Sequence, residues 1–130
     1  MKDYHFRRVI KKEYEAKAAE YYKKAIDVKP DYYEAFNNMG NVYRHKKEYD
    51  KALTYFQKTL YIKSDFHEAF NNMGNAYNDK KEYDKAIAAY QKAIEIKPDD
   101  TSTFINLGFL LLKIRKLQEA QNIIEKGIKL

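Results

Sequence analysis

Three asparagines recur at one interval: Asn38, Asn72 and Asn106, each 34 residues after the one before. Asn37 and Asn71 precede the first two by one residue. Asn41 and Asn75 follow by three residues, about one helical turn on. A carboxamide donates and accepts hydrogen bonds at once. It therefore matches a peptide bond in either direction, whatever side chain that peptide carries. Equivalent positions of a solenoid stack along its length, so carboxamides at a fixed interval form a row. The chemistry such a row offers is to hold an extended polypeptide by its backbone. Arg44 and Asn78 continue the polar character of the same stretches, whereas Ile105, Phe109 and Leu112 make the third stretch apolar. That apolar patch suits one or two hydrophobic side chains of a ligand, or a covering helix. The plainer alternative is that each asparagine is a tolerated surface residue.

The elements that must position these residues also repeat. The block Phe36-Asn37-Asn38-Met39-Gly40-Asn41 returns as Phe70-Asn71-Asn72-Met73-Gly74-Asn75, and in weaker form as Phe104-Ile105-Asn106-Leu107-Gly108-Phe109. Residues 33–66 and 67–100 are identical at 21 of 34 places. Each unit carries two apolar stripes at helical spacing. One is Phe36, Met39, Gly40, Tyr43; the other is Tyr49, Ala52, Leu53, Phe56, Thr59, Leu60. The polar segment His45-Lys46-Lys47-Glu48 between them is short enough to force two antiparallel helices. Pro98 ends one helix because it lacks an amide proton and disfavours helix in the residue before it. Asp31 with Glu34, and Asp65 with Glu68, have capping-box spacing, which predicts helix starts at these aspartates.

These residues resemble the tetratricopeptide repeat: an aromatic, two residues, Leu-Gly, two residues, Tyr, then Ala, three residues, Phe, and later Pro. The first copy reads Phe36, Met39-Gly40, Tyr43, Ala52, Phe56, with Ser64 where Pro is usual. The second reads Phe70, Met73-Gly74, Tyr77, Ala86, Tyr90, Pro98. The third reads Phe104, Leu107-Gly108, Leu111, Ala120, Ile124, with Gly127 at a later small-residue position. Upstream, Ala18, Tyr22, Ala25 and Pro30 fit the second helix of an earlier unit. Residues 1–12 are read as a short degenerate first helix, with one continuous helix from about Tyr4 to Val28 as the rival. The predicted organisation is a single domain over 1–130: a partial repeat at 1–32, repeats at 33–66 and 67–100, and a C-terminal repeat at 101–130.

The resemblance implies an all-α, right-handed α-solenoid of antiparallel helix pairs with seven or eight helices. It also implies that the first helix of each pair lines a concave groove. On that basis Asn37, Asn38, Asn41, Arg44, Asn71, Asn72, Asn75, Asn78, Asn106, Ile105, Phe109 and Leu112 are the expected peptide-binding residues. The row is similar to the asparagine ladder of some family members. The family's carboxylate clamp for chaperone C-terminal tails needs two Lys, one Arg and two Asn. Here Asn41 and Asn72 match the Asn places, but Asn37, Ser102 and Asn106 occupy the basic ones. A chaperone tail is therefore not the expected ligand.

Composition narrows the alternatives. The chain has no cysteine, which removes thiolate ligands and thiol nucleophiles. His5, His45 and His67 are not spaced as helical metal ligands, and no glycine-rich phosphate loop or Gly-x-Ser-x-Gly elbow occurs. No enzyme, cofactor or metal is expected. The net charge is +6, and residues 1–29 carry nine Lys or Arg against five Asp or Glu. Nucleic-acid binders show a continuous basic face, but here most lysines stand beside acids, and none is expected; an RNA- or membrane-surface-associated basic module using Arg7, Arg8, Lys11 and Lys12 is the rival. Apolar runs such as Phe109 to Leu112 are far short of the ~20 residues that cross a bilayer. No membrane insertion is expected, and a cytoplasmic location is. The function expected is a scaffold or adaptor for an extended protein segment. An alternative is self-assembly through Ile123, Ile128 and Leu130, because no capping helix follows helix 117–129. A longer protein whose next helix covers that face would serve equally.

Overall fold

The computed structural model describes residues 2–129, with side chains from residue 4 onward. These residues form seven α-helices: α1 (Lys2–Val28), α2 (Tyr33–His45), α3 (Tyr49–Ile62), α4 (His67–Asp79), α5 (Tyr83–Ile96), α6 (Thr101–Lys113) and α7 (Leu117–Ile128). No strand occurs among the described residues. Two compact units divide the chain, Met1–Ile62 with α1 to α3 and Lys63–Leu130 with α4 to α7.

Each helix pair closes on the same device. Gly40 faces the ring of Phe56, Gly74 the ring of Tyr90, and Gly108 the side chain of Ile124. A Cβ at Gly74 would stand 2.5 Å from Tyr90 ring atoms, well inside van der Waals contact. Ala52, Ala86 and Ala120 on the second helices are fully buried and keep the backbones close. In Lys63–Leu130 a single core joins Ala86 and Tyr90 of α5 to Leu107, Leu110 and Leu111 of α6 and Ala120 of α7.

The turns inside the pairs are also one structure used three times. Lys47, Lys81 and Arg115 hold left-handed backbone, at φ of 63°, 63° and 65°. In the first, the Lys47 amide donates to the Arg44 carbonyl and the Glu48 amide to the Tyr43 carbonyl. That pairing satisfies the last carbonyls of α2 and reverses the chain within three residues.

Two expectations need correction. Residues 1–12 are not a separate helix. From residue 2, α1 runs unbroken to Val28, because nothing before Pro30 is a glycine or proline that would break it, and Lys11–Glu15 and Glu20–Lys24 add i,i+4 ion pairs. The Asp31 and Asp65 capping boxes do not form either. The N-caps are Tyr32 and Phe66, one residue further on, and neither helix start has a side-chain cap. The equivalent position before α6 is Asp100, which does cap: its carboxylate accepts from the Ser102 amide at 3.2 Å and from the Ser102 and Thr103 hydroxyls at 2.8 and 3.1 Å.

Candidate carboxamide site

In Lys63–Leu130 the candidate residues come from α4 and α6, which pack on one another and on α5. The buried α5 residues are the small Ala86, Ala89 and Ala93 and the large Tyr90, whose ring lies against Gly74 of α4. The Asn106 Nδ2 donates to the Asn71 Oδ1 at 3.2 Å. One turn or two further along, Lys113 Nζ donates to the Asn78 Oδ1 at 3.3 Å. Carboxamides of successive repeats thus meet at an offset of 35 residues, so Asn106 bonds Asn71 rather than Asn72. Asn72 is half-buried and holds interactions of its own.

Asn75 has a different job from the one its position suggests. Its Oδ1 accepts the Tyr90 hydroxyl proton, which ties α4 to α5 and takes up one of its acceptor sites. On α6, Ile105, Phe109 and Leu112 are 44%, 64% and 41% exposed. Their spacing of four and three residues puts them on one face of the helix. Ile105 adjoins Asn106 in sequence, so the apolar strip shares α6 with one member of the carboxamide pair.

The starts of α4 and α6 are coupled electrostatically. His67, the first residue of α4, places Nε2 3.6 Å from the Asp100 carboxylate. Partial burial works to raise the Asp100 pKa. The hydrogen bonds from Ser102 and Thr103, helped by His67, outweigh it and hold the carboxyl below its ordinary value.

In Met1–Ile62 the counterparts lie on α2. Asn37 is only 4% exposed, and both Asn37 and Arg44 are already engaged. Asn38 and Asn41 are half-buried on the same helix. Behind α2, a concavity of about 500 Å3 lies among Ile26 of α1, Phe36, Met39 and Tyr43 of α2, and Tyr55 and Lys58 of α3. Tyr43 and Tyr55 stack there at 5.3 Å, with the Lys58 ammonium over the Tyr55 ring at 5.2 Å. Burial, then the neighbouring Tyr43, raises the Tyr55 pKa. Sequence reading missed this cluster, although Tyr55 and Lys58 stand one residue before and two after the core Phe56.

On α7, Ile128 is 78% and Leu117 64% exposed, whereas Ile123 packs against the core. Leu130 lies outside the described residues. Among the described residues no group of three or more histidines, cysteines or acids could hold a metal, and no helix is long and apolar enough to cross a membrane.

Comparison with known proteins gives one consistent family. Tetratricopeptide repeat patterns match residues 33–66 and 67–100, residues 10–32, and residues 89–122. No curated protein matches the chain in sequence. Among solved structures, two crystal structures of MamA are each 25% identical to this chain, with TM-scores of 0.77 and 0.79 over 85% and 88% of it. MamA from residue 41 to its end, from Desulfovibrio magneticus RS-1, has a TM-score of 0.78 over 88% of the chain at 23% identity, a likeness of fold. The chain spans 63–65% of the length of these MamA chains. The fold class is that of a helical solenoid of antiparallel helix pairs.

Proposed function

The chain belongs to the tetratricopeptide-repeat family of protein-interaction scaffolds, and from that premise we propose that it is a non-enzymatic, cytoplasmic adaptor holding an extended segment of a partner protein along the first helices of its repeats. The observation that carries this reading is the Asn106–Asn71 bond. It consumes one Asn106 donor and one Asn71 acceptor site. The Asn71 amino group and the Asn106 carbonyl oxygen are left, a donor and an acceptor side by side, which is the complement of a peptide unit. Ile105, Phe109 and Leu112 next to the pair supply apolar area for ligand side chains, and Asn38 and Asn41 offer the same chemistry on α2.

A pull-down from the source organism's lysate tests it, run beside the Asn38→Ala/Asn72→Ala/Asn106→Ala variant. Each lost hydrogen bond costs about 1 kcal/mol, so three weaken capture on the order of 100-fold. The variant keeps its helical circular dichroism and loses the partner. Equal capture by wild type and variant contradicts the reading.

A second reading rests on Ile128 and Leu117, which leave apolar area on α7 uncovered. Burying one such side chain is worth about 1.5–3 kcal/mol. Self-association through α7 would then show as a dimer in sedimentation that Ile128→Lys abolishes; a monomer at high concentration removes this reading.

A further inference from the structure

A second, separate site lies in Met1–Ile62. The helix α1 has 27 residues against 13 in α2 and 14 in α3. At about 1.5 Å per residue it is roughly twice as long as either neighbour. Its N-terminal half stands over the turn between α2 and α3 and forms a cleft of about 800 Å3 with it. From α1 the lining is Tyr4, Arg8, Lys11, Lys12, Glu15 and Ala16; from the turn it is His45, Lys46 and Lys47.

The charge in this cleft is unbalanced. Five cations and an imidazole face a single carboxylate. Glu15 is largely buried, with Lys11 Nζ 4.0 Å away, and its Oε1 has no hydrogen-bond partner. It therefore neutralises one lysine at most. Lys46 leans on Glu48 at 3.6 Å. Lys12 and Lys47 have no ion-pair partner among the described residues. The equivalent turn between α4 and α5 shows that this is not a general property of the repeat. Its cleft sets Lys81, Lys85 and Lys116 against Glu82 and Asp84.

We propose that the α1 cleft binds an acidic peptide segment, one with clustered aspartate, glutamate or phosphorylated side chains. Charge complementarity selects the class: five convergent cations repel one another until an anion enters, and lysines accept carboxylates without demanding a planar geometry. A bilayer fits poorly, because the cations converge from two elements into a concavity that a flat surface does not enter. A polynucleotide fits poorly as well. Single-stranded binders stack successive bases on aromatic side chains, and the lining offers no such row: Tyr4 has the Arg8 guanidinium over its ring at 5.6 Å, and the other ring is the His45 imidazole.

Fluorescence anisotropy with a labelled oligo-glutamate peptide tests the site, with a single-stranded RNA and phosphatidylserine-containing vesicles as parallel probes. The peptide binds wild type, and its affinity falls about tenfold or more as salt rises past physiological strength, where screening shortens the reach of each charge to about 8 Å. Lys12→Glu/Lys47→Glu, which reverses two exposed charges without touching the core, weakens binding about tenfold or more. Asn71→Ala/Asn106→Ala leaves it unchanged, which separates this site from the carboxamide site. Absence of peptide binding overturns the proposal. So does equal binding by Lys12→Glu/Lys47→Glu with unchanged circular dichroism, or preferential binding of the RNA or the vesicles.

Discussion

Unit Met1–Ile62 and unit Lys63–Leu130 are built from the same repeat and finish it differently. In Lys63–Leu130 every helix belongs to a pair, α4 with α5 and α6 with α7, and one core runs through α5, α6 and α7. In Met1–Ile62 only α2 and α3 are a pair. Along the N-terminal half of α1, Tyr4, Phe6, Val9, Ile10 and Tyr14 are exposed among the described residues. The packing positions are the same in both units, because a glycine facing a ring admits few substitutes. The units differ in what departs from the repeat: the apolar strip on α6 of one, the basic N-terminal half of α1 on the other.

The largest test of the shared packing is overfilling it. Gly74→Leu drives a side chain into Tyr90, which is buried and has nowhere to move. Overpacking of this kind costs about 1–3 kcal/mol or more. Gly40→Leu does the same against Phe56. Gly108→Ala meets the half-buried, aliphatic Ile124, with Ile123 at ordinary contact distance, and should cost clearly less. Thermal melts of the three variants check this order; a Gly74→Leu protein melting within a degree of wild type breaks the claim that both units use one packing device.

Deleting residues 1–14 sharpens the difference between the units. Residues 4–14 are exposed, so the melting temperature of the remainder should change little while the acidic-peptide affinity is lost. A large drop in melting temperature would mean that the α1 overhang supports the fold.

Acid titration addresses Asp100, a cap that Met1–Ile62 lacks. The unfolded carboxyl titrates near 3.8 and the folded one lower. Its contribution is therefore complete above 3.8 and is lost as pH falls through the folded value. Asp100→Asn should lower the melting temperature at neutral pH and narrow its gap from wild type at pH about 3. A gap that does not depend on pH contradicts this.

The smallest effect is expected at the turns. Left-handed backbone costs an L-residue about 1–2 kcal/mol, which glycine escapes at some entropic cost, so Lys47→Gly and Lys81→Gly should each stabilise by roughly 0.5 kcal/mol. Only Lys47→Gly should also weaken the acidic peptide.

The repeat register was legible in the sequence, because Phe36, Gly40, Ala52 and Phe56 occupy places where packing dictates residue type. The helix starts were not. Asp31 and Asp65 have the right chemistry but sit one residue before the N-caps, and residue spacing alone does not fix that register. The carboxamide site was half legible. The recurrence of asparagine marked α2, α4 and α6, but the interval of 34 pointed to Asn72 with Asn106. The observed pair is Asn71 with Asn106, because the shift between stacked helices comes from packing against α5. The Asn75–Tyr90 bond was not legible for a related reason: only the fold brings the Tyr90 hydroxyl to Asn75. The basic cleft was half legible: Arg8, Lys11 and Lys12 stand out in the sequence as a basic cluster, but only the fold brings residues 45–47 to them.

The most direct measurement is a calorimetric titration of the partner segment recovered by the pull-down into wild type, Asn71→Ala/Asn106→Ala and Lys12→Glu/Lys47→Glu. The scaffold reading predicts that the asparagine variant loses about 2 kcal/mol of binding, one for each hydrogen bond, while helical circular dichroism stays the same. Unchanged affinity in that variant, with loss confined to the lysine variant, would contradict it and move the partner site from the carboxamides to the α1 cleft.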